Sequence, residues 1–141
     1  MWAYWDTSAV LHVCVPSQAS RSAKTLLREF SPVTWRGTRV EVRSALVRLR
    51  RPDVIAGPAY QASSMRLTAL LSSGREVEPA DMVRDLALDL LERFPLKAAD
   101  ALQLAAALVA VRQRPGGRIF ISNDARLSAA AREAGFETRS V

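Results

Sequence analysis

Trp2-Ala3-Tyr4-Trp5-Asp6-Thr7-Ser8-Ala9-Val10-Leu11 is the stretch on which the fold turns. An apolar run ends on a carboxylate, two small hydroxyl residues follow, and the chain then reads as helical. In a strand Trp2 and Tyr4 fall on one face and Ala3 and Trp5 on the other. Both faces are therefore apolar, which suits a central parallel strand covered on both sides. Outward from this strand, helix and strand patterns alternate. Residues 8–15 form a short helix or turn stopped by Pro16. Residues 18–29 form a helix with Ala19, Ala23, Leu26, Leu27 and Phe30 near one side. Residues 32–35 are a short strand. Gly37 and Thr38 open a helix that Pro52 ends. Residues 54–72 are helical, closed by Ser72-Ser73-Gly74. Residues 75–78 are a short edge strand. A helix from Pro79 to Phe94 turns Met82, Leu86, Leu90 and Leu91 inward. Residues 96–114 are the most apolar helix, 118–122 a strand, 124–134 a helix stopped by Gly135, and 136–141 a last strand. This alternation predicts a three-layer α/β domain with a mainly parallel central sheet flanked by helices, spanning residues 1–141 without a linker.

The chain has 141 residues, enough for one domain with a real core. No apolar run reaches the roughly 20 residues of a membrane span. The N-terminus lacks a basic region, and Asp6 sits where a secretory signal would be apolar. The single cysteine, Cys14, cannot pair within the chain and reads as a small core residue in a reducing compartment. A cytoplasmic protein is expected. The net charge is +6, from 20 Lys and Arg against 14 Asp and Glu, and all but two of the basic residues are Arg. An arginine excess favours a polyanionic partner, because the guanidinium pairs bidentately with phosphate; it equally serves solubility.

Most of the acids lie on solvated faces, but four do not. Asp6 ends the first strand, where α/β sheets bind ligands, and it is also a natural N-cap for the next helix. Glu41 follows Thr38 by three, the capping-box spacing, yet lies beside the apolar stripe of its helix. Asp100, in Ala98-Ala99-Asp100-Ala101-Leu102, shares a helix face with Leu96, Leu104, Ala107 and Val111. A carboxylate on such a face needs a cation or a hydrogen-bond network, because burial without a partner costs several kcal/mol. Asp124 ends the strand 118–122, again as N-cap or as ligand. Carboxylates gathered at one sheet edge repel, so a cation between them is the economical expectation. All-oxygen ligation selects Mg²⁺, with Mn²⁺ fitting the same ligands. Zinc is disfavoured, since His12 and Cys14 lack suitable companions.

These positions, in this order, resemble the PIN-domain ribonucleases, and most closely the small toxins of VapBC toxin–antitoxin pairs. The resemblance is carried by Tyr4-Trp5-Asp6-Thr7-Ser8-Ala9-Val10-Leu11 and Arg39-Val40-Glu41-Val42-Arg43-Ser44-Ala45-Leu46. Leu96-Lys97-Ala98-Ala99-Asp100-Ala101-Leu102-Gln103-Leu104-Ala105 and Ile121-Ser122-Asn123-Asp124-Ala125-Arg126-Leu127 complete it. Gln103 departs from the pattern where many relatives carry His, and Asn123 competes with Asp124 for the fourth position. The resemblance implies a metal-dependent endoribonuclease in which Asp6 and Asp100 hold Mg²⁺ most directly. Glu41 and Asp124 complete the pocket, and Thr7 and Ser8 orient Asp6 or a water. Ser122 and Asn123 flank the site, and Arg43 and Arg48 are candidates for drawing in RNA. It also implies a homodimer and an inhibitory antitoxin partner. Two other readings remain at this point. A phosphatase with Asp6 as nucleophile would need a second Asp where Ser8 stands. A catalytically silent module of the same fold would bind RNA or protein without cutting.

Overall fold

The computed structural model describes residues 1–16, 18–52 and 54–141, and the side chains of residues 18 and 19 lie outside that description. The place expected for Ala19 on its helix is therefore outside the described residues. The strands are β1 (Trp2–Trp5), β2 (Ser31–Trp35), β3 (Arg75–Val77), β4 (Ile119–Ile121) and β5 (Glu137–Arg139). The helices are α1 (Thr7–Cys14), α2 (Gln18–Glu29), α3 (Thr38–Arg50), α4 (Gly57–Ser73), α5 (Asp81–Arg93), α6 (Ala98–Ala110) and α7 (Ala125–Ala134).

The five strands form one sheet in the order β3-β2-β1-β4-β5, and every pairing is parallel. The first strand is central, as its two apolar faces require, and 75–77 is an edge. Tyr4, Val33, Val77 and Phe120 face a core shared with α5, α6 and α7. Ala3, Trp5, Ile119 and Ile121 face the other, shared with the first four helices. Tyr4 stacks on Phe120 with centroids 5.2 Å apart. Cys14 is buried in the second core, as expected of a small apolar residue.

The chain moves outward from β1 to β2 and β3, then returns to place β4 on the other side of β1. The order reverses between β1 and β4, which opens a crevice at the carboxyl ends of those strands. Asp6 N–H bonds Ile121 O at 3.1 Å and holds these two ends together. Burial corrects one expectation. Met82 is 53 % exposed and Leu91 39 % exposed, while Val83, Ala87 and Leu90 turn inward. The α5 helix is rotated relative to the expected stripe, with its smaller Val83-Ala87 edge set in the core it shares with the alanine-rich α6. At the far end Gly135 closes α7 in the left-handed region, φ 112°, as a C-cap glycine does.

Candidate active site

Each of the four acids sits at the start of a helix. Asp6 caps α1, and its Oδ1 accepts the Ala9 N–H at 2.9 Å. Asp124 caps α7, and its Oδ1 accepts the Leu127 N–H at 2.8 Å. Glu41 lies in the first turn of α3 and Asp100 in the first turn of α6. Helix N-termini carry partial positive charge, so each position favours an anion. All four side chains line one cavity of about 540 Å³, together with Thr7, Ser8, Gln103 and Arg48. The capping expected of Asp6 and Asp124 is thus real, and it coexists with a place in the cavity wall. The capping box expected of Thr38 and Glu41 is not formed. Gly37 is the N-cap, without a side-chain bond, and Glu41 reaches across to other elements.

Asp6 is 3 % exposed, and its carboxylate is held by two serines. Ser8 Oγ donates to both carboxylate oxygens at 2.8 and 3.0 Å and accepts the Asn123 N–H at 2.8 Å. Ser122 Oγ donates to Oδ2 at 2.6 Å and accepts the Asp124 N–H at 2.9 Å. Each hydroxyl therefore joins the end of β1 to the loop after β4. Thr7 serves a different acid: its hydroxyl donates to Glu41 Oε2. Asn123 turns away, its amide 3.0 Å from His12 Nε2, so Asp124 is the residue that faces the acids. Arg48 lines the cavity, whereas Arg43 donates to Tyr60 Oη and Ser64 Oγ on α4 at 3.2 and 3.0 Å.

Gln103 organises the other half of the site, a role that its departure from the family pattern does not announce. It is 2 % exposed. Its Oε1 accepts from Tyr4 Oη at 2.6 Å, and its Nε2 donates to Thr7 Oγ1 and Glu41 Oε2, both at 2.8 Å. A longer contact reaches Thr38 Oγ1 at 3.2 Å. The signal available in the sequence was an amide amid Ala and Leu on an otherwise apolar helix, since a buried amide needs partners.

The electrostatics record the convergence. Burial pushes the Asp6 carboxyl up to about 6; bonds from Ser122, Ala9 and Ser8 oppose the shift, and Asp124 adds to it. The Asp100 carboxyl is also raised, first by burial, then by Asp124 and Glu41, with Lys97 and Arg126 pulling the other way. Asp100 makes no side-chain hydrogen bond among the described residues. Among those residues, too, no three His, Cys, Asp or Glu side chains close around one point. An oxygen-only wall of this kind suits a hard, hydrated cation held by one or two carboxylates and otherwise by water, which is the habit of Mg²⁺. No His or Cys among the described residues lines the cavity.

A family model described as "PIN domain" matches residues 3–133. Among curated proteins none matches the chain. Solved structures that share its fold include the following three. A toxin–antitoxin complex from Klebsiella pneumoniae is 18 % identical, with 90 % of each chain covered and a TM-score of 0.65. A crystal structure from Pyrobaculum aerophilum is 20 % identical, covering 98 % of this chain and 89 % of that one at a TM-score of 0.64. VapBC2 from Rickettsia felis, bound to a DNA fragment from its promoter, is 9 % identical, covering 99 % and 98 % at a TM-score of 0.66.

Proposed function

The chain belongs to the PIN domain family, and from that premise we propose that it is a metal-dependent endoribonuclease, the toxin of a VapBC-like pair, acting as a single domain over residues 1–141. One observation carries the reading: Asp6, Glu41, Asp100 and Asp124 come from four separate segments and line one cavity at the carboxyl edge of β1 and β4. The choice of RNA rests on the family.

The donor set fits Mg²⁺ or Mn²⁺. Asp6 and Asp100 would hold the ion most directly, with Glu41 and Asp124 completing the pocket through water. Such an ion would supply Lewis acidity toward a scissile phosphate and an acidified water as nucleophile. The chain's own groups do the rest. Ser8, Ser122 and the Ala9 amide fix the Asp6 carboxylate in one orientation. Thr7 and Gln103 bind Glu41 through Oε2 alone, which leaves Oε1 to accept from water. Arg48 at the cavity wall attracts the phosphate backbone. The solved toxin–antitoxin relatives support an antitoxin partner, and the same reading extends to a homodimer in the cytoplasm. No helix among the described residues is long and apolar enough to cross a membrane.

The test is cleavage of structured RNAs by antitoxin-free protein in Mg²⁺, Mn²⁺ or EDTA, beside Asp100→Asn. Cleavage should require the metal and fall by about 100-fold or more in the variant, since a direct ligand matters at least as much as the groups that orient it. Cleavage that survives both EDTA and the substitution would sink the mechanism. RNA binding without any cleavage would point to the silent module instead.

A further inference from the structure

A second cavity, of about 380 Å³, adjoins the acid pocket, and Asp124 is a wall of both. Its position follows from the topology. The β5 strand runs parallel to β4 with Arg139 beside Ile121, so both leave the sheet at the same edge. Ser122 N–H bonds Arg139 O at 3.1 Å and fixes the two exits together. The crevice at β1 and β4 thus continues sideways to β5.

The lining differs in charge from that of the acid pocket. Arg132 from α7 and Arg139 from β5 bring two guanidiniums, with Ser128, Thr138 and Ser140. Each guanidinium is only partly engaged. Arg132 donates Nη1 to Thr138 Oγ1 at 3.0 Å. Arg139 donates Nη1 to Thr138 O at 3.1 Å, and its Nη2 lies 3.7 Å from Glu137. A guanidinium has five N–H donors, so both retain several for a ligand. Ser128 is 9 % exposed, lines this cavity, and its hydroxyl has no partner among the described residues. The hydroxyl opens onto the cavity, where it is free to donate to an oxygen-rich ligand. The opposing carboxylate, Asp124, has Oδ1 held by the Leu127 amide.

We propose that this cavity is a phosphate subsite, which holds a backbone phosphate of the RNA strand next to the one placed among the acids. The inference rests on the nuclease reading and adds a path for the substrate: along the sheet edge from β1 past β4 to β5. The acid pocket does the chemistry, and the arginine cavity sets where the strand lies.

The experiment measures binding of a short fluorescein-labelled single-stranded RNA by anisotropy. It is done in EDTA with Asp100→Asn as background, so that the strand stays whole. Affinity is read across salt concentrations. Arg132→Gln combined with Arg139→Gln should weaken binding about 10-fold at moderate salt. The slope of log affinity against log salt should fall by about 0.7, the value of one lost phosphate contact on a single strand. Ser128→Ala, which removes only a hydroxyl, should weaken binding several-fold with the slope unchanged. Arg84→Gln, an exposed arginine that lines neither cavity, should leave both affinity and slope at the background values. Cavity variants that bind like the background, or an Arg84 variant that loses as much as they do, would overturn the subsite. If wild-type protein cuts RNA while the cavity variants bind normally, only the subsite falls. If wild-type protein neither binds nor cuts RNA, the nuclease reading falls with it.

Discussion

Gln103 has its amide orientation decided by Glu41, an acceptor-only carboxylate, and the Tyr4 hydroxyl donates to the other end, Oε1, at 2.6 Å. The NH₂ end must then face Thr7 and Glu41, and a reversed amide would set oxygen against carboxylate. Gln103 is therefore a positioning residue for Glu41. Replacing it by Leu leaves Tyr4 Oη without its acceptor and Glu41 with Thr7 as its remaining side-chain donor, at a cost of about 1–3 kcal/mol. We predict that Gln103→Leu also weakens Mn²⁺ binding by roughly 10-fold, as loss of a ligand-orienting group does. Leu104→Ala, a core deletion on the same helix, should lower the melting temperature and leave Mn²⁺ affinity unchanged. Calorimetric titration of both separates orientation from mere stability, and equal Mn²⁺ affinities in the two variants would reduce Gln103 to a structural amide. The sequence exposes such a residue as an oddity on an apolar helix but cannot name Tyr4 and Glu41 as its partners. Arg43 and Arg48 teach a related lesson. Five residues apart on a helix, they point about 140° apart, so a single cavity cannot easily receive both. Arg48 lines the acid pocket and Arg43 lies against Tyr60.

The elements explain why acids at helix starts can gather at all. In a parallel sheet the strand ends feed helix N-termini along one edge, so Asp6 after β1 and Asp124 after β4 face the same crevice. Their identity as strand-terminating carboxylates was legible; that β1 and β4 are neighbours was not, because strand order depends on long-range pairing. Helix phase is the other limit. Apolar residues at 82, 83, 86, 87, 90 and 91 fit two overlapping stripes, and packing in the core shared with α6 selects the one through Val83, Ala87 and Leu90. The C-cap at Gly135 is local enough to read, and it gives an element-scale prediction. Its φ is 112°, and an added Cβ would stand 2.8 Å from Pro115 Cγ. Gly135→Ala should destabilise the protein by about 1–2 kcal/mol through backbone strain and that clash. Gly116→Ala, which meets nothing within 4 Å, should be near neutral. Chemical denaturation of the two variants checks the contrast, and equal midpoints would refute it.

At the scale of the whole molecule the acid cluster costs stability, which the proposed cation would return. Asp6 is raised from 3.8 to about 6 in the folded state. Between those values the folded protein holds a proton that the unfolded chain has released, so stability falls as pH rises through the window and the full cost remains above it. The shift corresponds to about 3 kcal/mol. Without metal the protein should therefore melt at a higher temperature near pH 5 than at pH 7.5. Asp100→Asn removes one of the mutually repelling charges and should raise the metal-free melting temperature while abolishing the response to Mn²⁺. The most direct measurement is thus the melting temperature at pH 7.5 in EDTA and in Mn²⁺ at about 100 times its dissociation constant. The account predicts a rise of roughly 5–10 °C for wild-type protein and little or none for Asp100→Asn. No rise in wild-type protein, or an equal rise in the variant, would contradict the claim that these four carboxylates form a metal site.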